Sequence, residues 1–159
     1  MKYILILVAL FISSINIVNS KEYEGLVTKV IDGDSIFVKQ NDTINKIRLS
    51  YIDAPEMKQA YGGKSKLFLK NLLMDRKVLV STDYNDRYGR QIADIYILTD
   101  IEAIYINAKM IKSGNAWVYK KYRSNSYLIN LENHARMNNK GLWREINPIE
   151  PWLYRRDHR

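Results

Sequence analysis

Arg48-Leu49-Ser50-Tyr51-Ile52-Asp53-Ala54-Pro55-Glu56 is the stretch around which the rest of the chain can be read. Ile47, Leu49 and Tyr51 alternate with the polar Arg48 and Ser50, the two-residue period of a strand half-buried on a core. Arg48 and Ser50 are therefore expected on one face, and Leu49 and Tyr51 on the other. Pro55 has no backbone donor and restricts the residue before it, so the strand is expected to stop there. Two carboxylates, Asp53 and Glu56, stand at that stop. A cation on the strand and acids at its end can gather a divalent metal, a phosphate and a water molecule.

Upstream, residues 24–31 read as a strand, with Leu26, Thr28 and Val30 alternating against Gly25, Val27 and Lys29. Asp32-Gly33-Asp34 signals a hairpin turn, residues 35–40 return, and Asn41-Asp42-Thr43 turns into the strand that carries Arg48. Three strands joined by tight turns make an antiparallel meander. One Asp suffices for the first turn, which leaves Asp34 spare. Asp34 and Asp53, on neighbouring strands, can share a hard cation, with a third oxygen from a main-chain carbonyl such as that of Ala54.

Downstream, Tyr61, Ser65, Phe68, Leu69, Leu72 and Leu73 share one helical face within 59–75, after a Gly62-Gly63 pair that suggests a mobile entry loop. Residues 77–84 and 91–98 read as two further strands around Asn85-Asp86-Arg87-Tyr88-Gly89-Arg90. If the sheet closes on itself, Arg90 becomes a second guanidinium near the carboxylates, able to hold phosphoryl oxygens in forked contacts. Residues 103–106 form a short strand, and Asn107 is placed as the N-cap of a helix ended by Ser113-Gly114. Residues 116–123 mix aromatics with cations. Trp117 is assigned to the core, and Tyr122 and Arg123 are candidates for ligand contact. A last helix spans 125–139, with Leu128, Leu131, Ala135 and Met137 near one face, and the prolines make 144–159 an extended tail. His134 and His158 are bystanders.

The chain has 159 residues, enough for one domain, and is 47% apolar with a net charge of +8. Lys2, an apolar run and a small-residue end at Ser20 give residues 1–20 the pattern of a signal peptide, leaving 21–159 as a secreted or periplasmic domain; the alternative on the same pattern is an uncleaved membrane anchor. No cysteine is present, so no disulfide holds it. The positive charge suits an anionic partner.

Ile31 to Ser35, Arg48 to Glu56, Asp86 to Arg90, Gly114 to Tyr122 and Gly141-Leu142-Trp143 occur in this order. Together they resemble the staphylococcal nuclease (thermonuclease) family over nearly the whole of 21–159. The resemblance implies an α+β fold, a five-stranded OB-type barrel with three α-helices. It implies a calcium-dependent phosphodiesterase that cuts DNA and RNA at the 5′ oxygen and leaves 3′-phosphates. Separately, the chain is expected to be a monomer with no stable membrane association once the leader is removed. By position, Asp34, Asp53 and the Ala54 carbonyl resemble the Ca2+ ligands, Arg48 and Arg90 the phosphate-gripping pair, and Glu56 the carboxylate that activates water. Arg87, Tyr88 and Tyr122 match nucleotide-contacting positions. The type member has Thr at the positions of Ala54 and Ser35, a longer loop after Glu56, and Tyr in place of Lys120. The alternative is an OB fold that binds nucleic acid without cutting it. Such a binder has no need of Asp34, Asp53, Arg48, Glu56 and Arg90 together.

Overall fold

The computed structural model describes residues 20–158. The expected leader thus lies, except for Ser20, outside the described residues. The chain runs β1 (Lys21–Val30), β2 (Ser35–Gln40) and β3 (Thr43–Leu49) as an antiparallel meander. Next come β4 (Ile52–Asp53), α1 (Gly62–Leu73), β5 (Lys77–Asn85), β6 (Gln91–Leu98) and β7 (Ala103–Tyr105). Then follow α2 (Ile106–Lys112), β8 (Trp117–Val118), α3 (Ser126–Met137) and α4 (Pro151–Asp157).

The sheet order is β3-β2-β1-β5-β6-β7, and β3 also pairs with β6. That last pairing is parallel, Ile47 beside Gln91, Arg48 beside Ile92 and Leu49 beside Ala93. It closes five strands into the expected OB-type barrel and leaves β7 as an outer ribbon. Val27, Ile36, Val38, Ile47, Val80 and Ile95 fill the interior, each fully buried. Every such aliphatic side chain withdrawn from water contributes about 1.5–3 kcal/mol. Leu69 and Leu73 of α1, Met110 and Ile111 of α2, and Leu128 of α3 seal the same core.

Several local expectations change. In β1 the buried residues are Tyr23, Gly25 and Val27, and then Val30. A register shift between Val27 and Lys29 breaks the alternation, so Val30 shares the core with Val27 and not a face with Leu26. The strand through Arg48 ends at Leu49, before Pro55. Tyr51 takes a left-handed backbone (φ 64°) and redirects the chain into β4, which pairs with β8. Asn107 is not an N-cap, because Tyr105 holds that position. Its buried amide accepts from Ile95 N (3.1 Å) and donates to Ser50 O (3.0 Å) and Ala93 O (3.1 Å), satisfying backbone groups where β3 and β6 part. Met137 is 76% exposed and packs on nothing in the core. The 144–159 tail is not extended. Pro151 starts α4, where its fixed φ favours a first helical turn and its missing N–H costs nothing. Among the described residues there are therefore four α-helices, three on the barrel and one in the tail.

A second cluster joins Trp117, Ala135, Leu142 and Trp143, with Tyr61 and Trp152 packed against it. It depends on two glycines in the left-handed region, Gly114 (φ 70°) and Gly141 (φ 56°), whose backbones meet at Leu142 N→Gly114 O (2.8 Å). A Cβ on Gly141 would collide with the Gly114 carbonyl. Gly141→Ala is expected to cost about 2–3 kcal/mol, read as a lowered urea midpoint with unchanged slope. A midpoint equal to that of the wild type would refute the close-approach account.

Candidate active site

Barrel closure assembles a cleft of about 710 Å³. Nine of the ten candidate residues line it, Asp34, Arg48, Asp53, Ala54, Glu56, Arg87, Tyr88, Arg90 and Tyr122, whereas Arg123 turns away and pairs with the buried Glu132 at 3.3 Å. They come from the β1–β2 turn, the end of β3, β4 and the loop after it, the β5–β6 turn, and the turn after β8.

At the floor, Arg48 joins the two aspartates. Its Nη1 lies 2.5 Å from Asp34 Oδ2, and its Nη2 donates to Asp53 Oδ1 at 2.9 Å and to Ile52 O at 3.2 Å. Asp34 is oriented by donors on both sides, Ser35 Oγ (3.1 Å) and Ala54 N (2.8 Å). Asp32 accepts from Asp34 N at 3.0 Å and holds the turn. Burial and the neighbouring Asp34 charge push the Asp32 carboxyl up to about 6. Burial also raises Asp53, while Arg155 and Arg48 pull it back. The floor thus carries more buried negative charge than Arg48 alone neutralises.

The β5–β6 turn sets the second guanidinium. Asp86 Oδ1 accepts from Tyr88 N (2.9 Å) and Arg90 N (3.0 Å), and Asp86 Oδ2 accepts from Arg90 Nε (2.8 Å). Partial desolvation works against Asp86 ionising, but the bonds from Arg90 and Tyr88 outweigh it and hold the carboxyl below its usual range. Gly89 (φ 74°) allows the reversal. Because Arg48 pairs with Ile92, two residues past Arg90, the two guanidiniums reach the same cleft.

Glu56 sits on a loop that is pinned. Gln59 N donates to Glu56 O (2.9 Å), and Gln59 Oε1 accepts from Glu56 N (3.1 Å). Gly62 serves close packing and not the expected mobile entry, since a Cβ there would drive into the Glu56 carbonyl. Around the mouth, Arg87 and Arg90 lie 4.8 and 5.6 Å from the Tyr88 ring centre. The Tyr122 hydroxyl is 3.2 Å from that of Tyr84, and this contact, with burial, pushes Tyr122 up to about 12.

Sequence reading missed four kinds of residue here. Asp86 positions Arg90, and its place four residues earlier in a turn was the available signal. Tyr51, Tyr84 and Tyr119 extend the aromatic wall. Lys121 lines the cleft. Arg155, from α4, donates to Asp53 Oδ1 (3.1 Å), Asp53 Oδ2 (2.7 Å) and Glu56 Oε1 (2.7 Å). It was hidden by the reading of the tail as extended.

Among the described residues no group of three or more acidic or histidine side chains is arranged to hold a metal. The donor set is instead two oriented carboxylates, Asp34 and Asp53, beside the Ala54 main chain. Hard oxygen donors in surplus of positive charge fit a hard divalent cation that keeps several waters.

Residues 46–145 match the family described as Staphylococcal nuclease homologue. The chain is similar to an uncharacterized endonuclease of Escherichia coli O157:H7, 38% identical over 134 residues, covering 84% of this chain and 86% of that one. It is also similar to a micrococcal nuclease of Shigella flexneri, 34% identical over 142 residues, covering 85% and 82%. An uncharacterized endonuclease of Haemophilus influenzae is 38% identical over 135 residues, covering 84% and 73%.

Proposed function

The chain belongs to the staphylococcal nuclease family, and from that premise we propose that it is a secreted, calcium-dependent phosphodiesterase that cuts both DNA and RNA and leaves 3′-phosphates. The observation that carries this reading is the β3–β6 pairing, which puts Arg48 and Arg90 on one cleft with Asp34, Asp53 and Glu56. A protein that only binds nucleic acid gains nothing from buried carboxylates facing a polyanion. The nuclease names of its relatives support the same reading.

Glu56 takes the proton of a water held opposite the 5′ oxygen, and that water attacks phosphorus in line as the bond to the 5′ oxygen breaks, the 5′ alkoxide leaving with a proton from solvent to give a 5′-hydroxyl and a 3′-phosphate. Arg48 and Arg90 receive the charge that accumulates on the phosphoryl oxygens. Both are preorganised, Arg48 by Asp34 and Asp53 and Arg90 by Asp86, so little reorganisation is required as the charge appears. Asp34, Asp53 and the Ala54 carbonyl would hold the divalent cation, which supplies Lewis-acid polarisation of a phosphoryl oxygen. Tyr88, Arg87 and Tyr122 receive the nucleotide at the mouth, by ring stacking and by contact with a neighbouring phosphate.

The test is incubation of the purified 21–159 chain with plasmid DNA and with RNA, with calcium or with excess EGTA, followed by end-group analysis. Cleavage confined to calcium, with 3′-phosphate ends, is expected. Undiminished cutting in EGTA would exclude calcium dependence, and 5′-phosphate ends would exclude the bond assignment. Arg90→Ala should lower kcat about a hundredfold, the loss typical of one preorganised donor. Arg90→Lys should recover little of it, because a single ammonium cannot copy the fork to Asp86 and phosphate together. Wild-type kcat in Arg90→Ala would remove the assigned role.

A further inference from the structure

Arg155 places its guanidinium across both oxygens of Asp53 and against one oxygen of Glu56, on the two acids that the proposed chemistry requires. We propose that Arg155 is a tethered cation that competes with the divalent metal for Asp53, so that metal binding displaces the C-terminal arginine and α4 sets the metal affinity. The inference rests on the metal-site reading above.

Three observations carry it. The contact is a fork: Nη1 and Nη2 meet Oδ1 and Oδ2 at 3.1 and 2.7 Å, so the Asp53 carboxylate has neither oxygen clear of Arg155. Such bidentate pairs are the strong, oriented class of charged hydrogen bond. The arginine is also delivered and not merely nearby. Pro151 is buried, Trp152 lies 6.0 Å from the Trp117 ring and 6.2 Å from the Tyr119 ring, and Gln59 Nε2 donates to Ile149 O at 2.5 Å. Gln59 is the same residue that pins Glu56, so the tail and the Glu56 loop are seated together. A group anchored in this way acts at a high effective concentration. Finally, release requires little. The Arg155 side chain is 37% exposed, and the residues beyond it, Arg156, Asp157 and His158, are exposed. The guanidinium can swing into water while the Trp152 anchor stays in place.

A binding-competent state populated only in part weakens apparent affinity by that fraction. If Arg155 covers Asp53 for most of the time, Arg155→Gln should tighten calcium binding by roughly 10- to 100-fold. Isothermal titration of CaCl2 into the 21–159 chain reads this directly, without turnover. Trp152→Ala, which loosens the anchor, should tighten binding in the same direction. Arg156→Gln, which removes an outward pair with Asp157, should leave affinity unchanged. In EDTA, Arg155→Gln should melt below the wild type, and in saturating calcium the two Tm values should converge. Calcium affinity unchanged or weakened in Arg155→Gln overturns the inference. Asp53→Asn separates the two readings. Loss of the calorimetric signal there confirms that Asp53 belongs to the site, whereas wild-type affinity in Asp53→Asn overturns the metal-site reading and the inference with it.

Discussion

Glu56→Gln is expected to lower kcat for phosphodiester cleavage by about a thousandfold while leaving KM and Tm nearly unchanged. The amide has the size of the carboxylate and can still accept from Arg155, so the loop keeps its shape. Its backbone is held by Gln59 independently of the side chain. What is lost is proton acceptance from the attacking water, a contribution made only in the transition state. Steady-state cutting of a short labelled duplex, with circular dichroism as a folding control, checks it. Glu56→Asp, one methylene short, should fall between the two. Full turnover in Glu56→Gln would assign water activation to another group.

Arg48→Ala is expected to destabilise the metal-free protein by about 3–5 kcal/mol and to lower kcat by about a thousandfold. Arg48 is largely buried and faces Asp34 and Asp53, which are 6% and 0% exposed. Removing it leaves Asp34 with no guanidinium, and an uncompensated charge in the interior is costly. Calcium should therefore raise the Tm of Arg48→Ala more than it raises that of the wild type. Turnover should stay low with calcium, because a cation at Asp34 and Asp53 does not replace the guanidinium fork on phosphate. A calcium-induced shift no larger than that of the wild type would contradict the shared use of these carboxylates.

The meander, both of its turns and the closing strand were legible because each depends on local chemistry. Asp32-Gly33-Asp34 and Asn41 mark reversals wherever they occur, and β2 and β6 carry clean patterns. Arg48, Asp53 and Arg90 were legible as chemistry, but the arrival of Arg90 beside the other two depends on a parallel pairing that no local pattern encodes. The β1 bulge was not legible, because alternation continues on paper where the backbone gains an unpaired residue. Asn107 misled because its cap-forming amide answers groups from strands far away in sequence. In the tail, Pro148 and Pro151 ahead of Arg155 and Arg156 looked like a spacer, although Pro at a first helical position followed by Trp152, Leu153 and Tyr154 is equally a helix start.

The β3–β6 seam joins segments more than forty residues apart, and it is among the latest kinds of contact a chain makes, since long loops must close first. Until that seam forms, Arg90 and the turn that holds it do not face Arg48, Asp34 and Asp53. Catalytic competence during refolding should therefore trail the recovery of far-ultraviolet dichroism and coincide with the slow, cooperative step. A half-folded chain is harmless to the nucleic acid around it.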